Sequence, residues 1–401
     1  MAAIAPLDFR WGVISTGNIA TKFVKDLLVD PSTYGQLFLF KSNTPLTALV
    51  SCFGRRNVHD IAHKIVAVGS RSLSKAEDFI KTVIPDTSSG LTKAYGSYAE
   101  VFADPQVDAV YIGTPHTAHY EDALAAINAG KHVLCEKPIT INAPELRSLI
   151  AAAKEKNVFL MEAMWTRFIP LSLELKKFLE EGSLGLPVLL HADLSGNLDL
   201  RSLPDTDRIV DPNLAGGALL DIGPYPLFWA IFVLYDHPDN AKTRPTKITG
   251  SMTMASRTPV DGTSVFSVSF TSSSKEKVGT KIDAQASLSC SFTVDSYEPG
   301  VVIRCERGNI IIKQPIYCPK QFVVQYRGKD GGIEREETNK FDFEGKGWHF
   351  QADEVARSVR VGKLQSDLWG HDHSLLEMEI FDEVRKQGGY AFPPGLEKVV
   401  N

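Results

Sequence analysis

Apolar and polar positions along the chain fall into two regimes. Through the first 160 residues, short apolar runs alternate with longer stretches whose apolar positions recur every three to four residues. The runs 9–15, 64–69, 107–113, 132–135 and 158–161 have the length and composition of buried strands. The stretches 19–28, 74–83, 119–130 and 143–156 between them read as amphipathic helices. Strand, helix, strand at this spacing predicts right-handed parallel crossovers and a doubly wound sheet. After about residue 245 the period shortens to two. Phe266, Val268 and Phe270 alternate with Ser267 and Ser269, and Ala286, Leu288, Cys290, Phe292 and Val294 alternate with Ser287, Ser289, Ser291 and Thr293. One packed face and one Ser/Thr face predict a mostly antiparallel sheet with helices on one side. Arg307-Gly308-Asn309 reads as a hairpin turn between two apolar runs, and late helices are expected over 350–359 and 375–387.

The expected fold class is therefore α/β. Residues 8–160 form an N-terminal doubly wound parallel sheet, and residues 161–401 form a C-terminal α/β domain with a large, open-faced, mostly antiparallel sheet. The open Ser/Thr face is either solvated or pairs with a second copy, and we expect a homodimer through it. One segment breaks the pattern. Residues 36–56 are apolar without a helical or strand period, and structureless connections of this length are uncommon. They read as an atypical insertion, either a surface excursion or a translated intron, and are assigned no chemistry.

Composition narrows the class. The 401 residues are 43% hydrophobic and 23% charged, the balance of a globular protein large enough for two domains. A net charge of −5 gives no reason to expect a nucleic-acid partner. No apolar run suggests the ~20 residues of a bilayer span, so no membrane partner is expected. The amino-terminal stretch lacks the basic-then-apolar order of a signal peptide. Five scattered cysteines, Cys52, Cys135, Cys290, Cys305 and Cys318, fit reduced packing thiols of a cytoplasmic protein better than a disulfide framework.

The first strand runs into Ser15-Thr16-Gly17-Asn18-Ile19-Ala20 and then a helix. Set against G-x-G-x-x-G/A, the dinucleotide fingerprint of a Rossmann domain, Ser15 replaces the first glycine, Gly17 keeps the second and Ala20 fills the third. The helix start then offers free N–H groups to a pyrophosphate. The second strand chooses between dinucleotides. An NAD site usually ends that strand on a carboxylate that binds the ribose 2′-hydroxyl. Here it ends on Ser70-Arg71-Ser72 with Lys75 following, and no carboxylate occurs before Glu77. A guanidinium flanked by hydroxyls suits a 2′-phosphate, so the expected cofactor is NADP.

In a doubly wound sheet, ligands lie beyond the carboxyl ends of the strands. Thr114-Pro115-His116 and Glu136-Lys137-Pro138 are both such ends, and both are expected to face the nicotinamide. Lys137 is held between a buried strand and a proline, where an X–Pro cis bond would aim it into the cleft; a snorkelled strand-end lysine is the ordinary alternative. Asp221 and Tyr225 stand four apart at the opening of an apolar helix and would share a face. The ordinary alternative there is a capping aspartate with a core tyrosine.

Taken together, S-T-G-N-I-A, T-P-H-x-x-H, C-E-K-P, M-E-A-M-W-T-R-F and G-G-x-x-L-D-I-G-x-Y-P resemble the Gfo/Idh/MocA oxidoreductases over nearly the whole chain outside residues 36 to about 56. Within that family the resemblance is to the branch of NADP-dependent D-xylose 1-dehydrogenases and dimeric trans-dihydrodiol dehydrogenases. It implies that Lys137 is catalytic and that Tyr225 holds the acid/base position. The implied reaction is oxidation of an aldose at C1 to the lactone by hydride transfer, with D-xylose the first choice. Oxidation of a trans-dihydrodiol, or NADPH-dependent reduction of a sugar or dicarbonyl, is the alternative. A non-catalytic, dinucleotide-binding regulator of sugar metabolism is the alternative of another class.

A free tyrosine titrates near ~10, too high for an efficient base at neutral pH, and a neighbouring cation lowers that by roughly 1–3 units. Lys137 is therefore expected to support a Tyr225 phenolate. Asp221 is expected to orient a sugar hydroxyl. Trp165 is expected to stack on the sugar ring, and Arg167 to donate to its hydroxyls; packing at the domain interface is the ordinary alternative for both. His116 and His119 are read as nicotinamide-ribose and helix-start residues rather than metal ligands, because no third ligand of matching spacing follows.

Overall fold

The structure, a computed structural model, describes residues 7–29, 60–85, 90–271 and 281–400. The insertion expected over 36–56 lies outside the described residues. The N-terminal half alternates β1 (Leu7–Ile14), α1 (Asn18–Leu27), β2 (Ile61–Gly69), α2 (Leu73–Val83), β3 (Lys93–Tyr95), α3 (Tyr98–Ala103), β4 (Ala109–Ile112), α4 (His116–Asn128), β5 (His132–Cys135), α5 (Ala143–Lys156) and β6 (Leu160–Glu162). The strands pair in parallel in the order β3-β2-β1-β4-β5-β6. The order reverses between β1 and β4, and the crevice beyond the carboxyl ends at that point is where open α/β sheets bind ligands. Every residue of β4 is buried, as helices on both faces require. The last strand starts two residues later than its apolar run. Asn157 takes a left-handed φ of 54° that ends α5, and Val158 N–H still bonds back to the Ala153 carbonyl.

A 3-10 turn at Trp165–Phe168 and α6 (Pro170–Glu181) lead into an eight-stranded sheet. Its strands are β7 (Pro187–Ser195), β8 (Lys247–Met254), β9 (Asp261–Phe270), β10 (Ala284–Ser291), β11 (Val301–Cys305), β12 (Gly308–Ile312), β13 (Gln321–Arg327) and β14 (Ile333–Lys340). They lie in the order β14-β13-β12-β11-β7-β10-β9-β8. All neighbours are antiparallel except β7 and β10, which run parallel. The period-2 pattern is realised as expected. Phe266, Val268, Phe270, Ala286, Leu288 and Cys290 are buried, and the intervening serines face outward. Ser291 and Val294 depart from the pattern: Ser291 is buried with its hydroxyl on Thr263 at 2.6 Å, and Val294 is 56% exposed, because β10 ends at Ser291. The expected hairpin is present with its turn shifted: Gly308 already pairs with Cys305, so Glu306 and Arg307 form the turn. β14 reads IEREETNK and carries no apolar alternation, and it lies exposed at the sheet edge.

The packed side of this sheet is covered by α7 (Ala218–Asp221), α8 (Pro224–Ala230) with its π-helical continuation Ile231–Tyr235, and α10 (His371–Gln387). The helical run Pro212–Tyr235 is long and apolar enough to cross a membrane, which the sequence reading passed over, but 89% of its most apolar window is buried inside the protein. The two halves are latched together behind the crevice by α9 (Trp348–Arg360). Asp26 at the end of α1 accepts from the Gly347 amide at 2.9 Å and from His349 Nδ1 at 3.0 Å. His63 on β2 meets Asp353 at 2.8 Å and accepts from Trp11 Nε1 at 3.0 Å.

Candidate active site

The nucleotide turn is built by β1 running into α1. Ser15 sits at φ 81°, the left-handed region where the usual fingerprint has glycine. Its hydroxyl accepts from the Gly17 amide at 3.3 Å, which helps hold the tight bend without a glycine. Gly17 has an ordinary extended backbone, φ −78°, and a Cβ there would meet nothing closer than Ser15 Oγ at 3.4 Å. Neither conformation nor packing demands glycine at 17. The requirement comes from outside the chain, as expected where a phosphate lies against the backbone. Gly17 and Asn18 are exposed at the helix start, with Thr16 and Ile19 half-buried beside them. We predict that Gly17→Ala leaves the melting temperature unchanged and weakens NADP binding at least ~10-fold, the loss of one to two good phosphate contacts. Calorimetric titration with NADP checks this.

The expected 2′-phosphate group is assembled at the end of β2. Ser70 is buried with its hydroxyl 3.5 Å from Thr16 Oγ1, so the two turns touch. Arg71 and Lys75 are exposed, and Ser72 precedes α2 with its hydroxyl on Ser74 at 2.8 Å. Among the described residues no ion pair holds either cation. These residues fit a 2′-phosphorylated dinucleotide: a cradle with no Cβ, a helix start and two unengaged cations. Arg71→Ala should raise the KM for NADP about 10–100-fold, the worth of a charge-assisted hydrogen bond, and leave that for NAD unchanged.

At the ends of β4 and β5 the expectations divide. His116 stands at the start of α4, 13% exposed, with Nε2 3.9 Å from Asp221. Burial, with Lys137 nearby, pushes its pKa down to about 3 although Asp221 opposes, so it is neutral. Thr114 is buried and donates to Asp122 at 2.8 Å, and Pro115 stands exposed at the same edge. Two expected cofactor contacts are corrected. His119 is fully buried, its ring nitrogens 2.8 Å from the Thr114 and Pro138 carbonyls, so it ties two strand-end loops together. The Glu136 side chain turns into the core and accepts from Tyr111 Oη at 2.6 Å. Burial raises its pKa to about 7.

Lys137, Asp221 and Tyr225 are brought together. Lys137 Nζ donates to the Asp221 carbonyl at 2.5 Å, lies 3.5 Å from its Oδ1, and sits 5.3 Å from the centre of the Tyr225 ring. The Lys137–Pro138 bond is cis, as anticipated. Burial alone would push Asp221 up, but Lys137 and Arg208 together hold it well below the usual carboxylate range. Burial alone would push Lys137 down, but the carboxylate neighbours Asp221 and Glu136 act against it and the group is held up. Lysine and aspartate therefore form an ionised pair at neutral pH. Asp221 owes its place to Asp261, which the sequence reading missed. The Asp261 carboxylate accepts from the Leu219 amide at 2.7 Å at the start of α7, and sits where a Cβ on Gly217, at φ 114°, would be. Arg208 was also missed. It reaches in from an exposed loop to donate to Asp221 Oδ1 at 3.1 Å.

The phenolate expectation is corrected. Lys137 reaches the ring of Tyr225, while the hydrogen bond to Tyr225 Oη comes from Trp165 Nε1 at 3.0 Å. Burial pushes the Tyr225 phenol up to about 12 against the pull of Lys137 and Trp165. Its resting form is the neutral phenol. Trp165 is corrected as well. One of its faces is stacked on Trp348 at 4.5 Å, so it meets the site by its edge, through Tyr225. Arg167 points elsewhere: its Nε donates to the Leu368 carbonyl at 3.1 Å and its guanidinium lies 5.2 Å from the Phe232 ring. Tyr317, unpredicted, packs beside both Trp165 and Tyr225, with ring centres 5.8 and 5.5 Å away, and is 37% exposed. Among the described residues there is no cluster of metal-binding side chains.

Residues 9–164 match the oxidoreductase family with an NAD-binding Rossmann fold, Gfo/Idh/MocA, and residues 172–311 match the Gfo/Idh/MocA C-terminal domain. The chain is 35% identical to a D-xylose 1-dehydrogenase (NADP(+)) of Hypocrea jecorina, over 98% of this chain and 95% of that protein. It is 32% identical to a human trans-1,2-dihydrobenzene-1,2-diol dehydrogenase, over 96% and 99%. The crystal structure of an aldose-aldose oxidoreductase from Caulobacter crescentus superposes with a TM-score of 0.72 at 18% identity, covering 96% of this chain and 98% of the other. With both halves matched and full-length relatives above 30% identity, the chain belongs to the Gfo/Idh/MocA oxidoreductase family.

Proposed function

We propose that this enzyme oxidises an aldose, D-xylose first among them, at C1 to the lactone with NADP as acceptor. The observation that carries the reading is the Lys137–Asp221–Tyr225 cluster at the same sheet edge as the nucleotide turn, in a chain 35% identical to an NADP-dependent D-xylose 1-dehydrogenase. Oxidation of a trans-dihydrodiol is the second reading. It is favoured by the 32% identity to a dihydrodiol dehydrogenase and by the aromatic pair of Tyr225 and Tyr317. A pure regulator would have no use for a buried lysine–aspartate pair beside a buried tyrosine.

The nicotinamide, when bound, supplies the two-electron acceptor. The chain's own residues handle the proton and the pose. Lys137 brings a fixed positive charge that favours negative charge developing on a bound hydroxyl. Asp221, held by Lys137 and Arg208, accepts from a neighbouring hydroxyl and sets the orientation. Tyr225 Oη is the acid/base, with the Trp165 N–H fixing its direction. Because the neutral phenol is the resting form, reduction of a carbonyl finds Tyr225 ready to donate, whereas oxidation draws on a scarce base form.

The enzyme is proposed to act in the cytoplasm as a homodimer through the open face of the eight-stranded sheet. The substrate reading is tested by following NADPH formation with D-xylose, D-glucose, L-arabinose and a trans-dihydrodiol. Highest kcat/KM on D-xylose supports it, highest on the diol favours the second reading, and no turnover on any of the four removes both.

A further inference from the structure

Directly behind the lysine lies a buried acidic arrangement with no role in the chemistry so far. Glu162 ends β6 and is 1% exposed. Its Oε1 accepts from the Ile139 amide at 3.0 Å, two residues beyond Lys137. Its Oε2 accepts from Ser374 Oγ at 2.6 Å and from Trp369 Nε1 at 3.1 Å, in and just before α10. One carboxylate thus pins the backbone that carries Lys137 to a helix from the far end of the chain. Glu377 lies one turn beyond Ser374 on the same helix, is fully buried, and has no hydrogen-bond donor to either carboxyl oxygen. Its charged neighbours are Glu162 and Lys137, while Glu136, beside Lys137, is engaged with Tyr111.

Two carboxyl groups buried side by side do not both ionise. The donors decide which one keeps the charge. Three reach Glu162 and none reaches Glu377. An ionised Glu377 would be an unpaired buried charge, whereas a protonated one has a hydroxyl to give to Glu162.

We propose that Glu162 and Glu377 form a proton-sharing acid pair that positions Lys137, with Glu162 the ionised member holding the Ile139 amide and Glu377 the protonated member supporting it. Both are positioning residues, since neither touches Tyr225 or Asp221. Burial and the Glu162 charge, which raise the Glu377 carboxyl well above its usual range, agree with this division. The consequence is an asymmetry between two chemically identical side chains. Glutamine at 377 keeps the shape and donates an N–H to Glu162. Glutamine at 162 turns an amide N–H toward groups that are themselves donors and releases the loop.

The catalytic part rests on the oxidation proposed above, so the test has a readout independent of turnover. Infrared difference spectra of the whole enzyme at about pH 8.5, where Glu136 and Asp261, both at about 7, are ionised, should contain the carbonyl stretch of a buried protonated carboxyl, and Glu377→Gln should remove it. In kinetics with D-xylose, Glu162→Gln should lower kcat by about 10–100-fold, the effect of a misplaced catalytic group, with NADP affinity little changed. Glu377→Gln should retain at least about ten times the kcat of Glu162→Gln. Persistence of the infrared band in Glu377→Gln, or its absence from the wild type, overturns the pair even if Glu162→Gln fails to fold. A greater loss of kcat in Glu377→Gln than in Glu162→Gln overturns the division of roles. A wild type that has the band but oxidises no aldose leaves the pair standing and sinks the oxidation reading.

Discussion

Tyr225→Phe is expected to lower kcat for D-xylose oxidation by about 10²–10⁴-fold, the range for a positioned acid/base group. Nothing that faces the nucleotide turn is removed, so the dissociation constant of NADPH should hold, as fluorescence titration would check. The substitution leaves Trp165 Nε1 without its acceptor, and that costs about 1–3 kcal/mol of stability for a buried donor. The variant should therefore melt lower but fold. Burial holds the phenol up at about 12. The base form required for oxidation grows as pH rises toward that value. The kcat/KM for oxidation should climb about tenfold per pH unit through the neutral range, and the reverse reduction should not. Tyr225→Phe should lose the slope along with the rate. A rate within about threefold of wild type would remove Tyr225 from the chemistry.

Lys137→Met should be the second large loss, about 10²–10³-fold in kcat, the scale of a removed charge-stabilising donor. The side chain holds the Asp221 carbonyl at 2.5 Å and sits against the Tyr225 ring, so its removal affects both partners. Breaking a buried ion pair costs about 3–5 kcal/mol when the survivor is left alone. Asp221 keeps the Arg208 contact at 3.1 Å, and that guanidinium is 58% exposed, so the stability loss should fall below that range. Lys137→Arg should not restore turnover. A planar fork cannot reproduce a point charge wedged between a carbonyl and a ring face. Thermal melting and steady-state kinetics on the same preparations separate the two effects.

What the sequence disclosed and what it hid follow a physical line. The nucleotide turn, the strand–helix alternation of a doubly wound sheet and the open-faced sheet were legible because each rests on local pattern: a turn between strand and helix, a period of 3.6, a period of 2. The meeting of Lys137 with Asp221 and Tyr225 came through motifs, since no periodicity joins residues 84 positions apart. The pKa of Tyr225 was misjudged because burial, which dominates it, is not written in neighbouring residues. Trp165 and Arg167 were assigned to substrate for the same reason. Their partners, Trp348 and Leu368, enter from a distant stretch of the chain, Leu368 lying 201 positions beyond Arg167. Arg208, Asp261, Tyr317 and Glu377 carried no sequence signal, and Glu162 lay inside the M-E-A-M-W-T-R-F motif without a role of its own. Each is an ordinary residue type that acquires meaning only from what folds against it.

The measurement closest to the central claim uses D-xylose carrying deuterium at C1, in a single turnover with NADP. The deuterium should appear in the reduced nucleotide, the step should be slower than with unlabelled sugar, and Tyr225→Phe and Lys137→Met should fail to transfer it at a comparable rate. Unlabelled reduced nucleotide, or equal transfer by all three proteins, would contradict that claim.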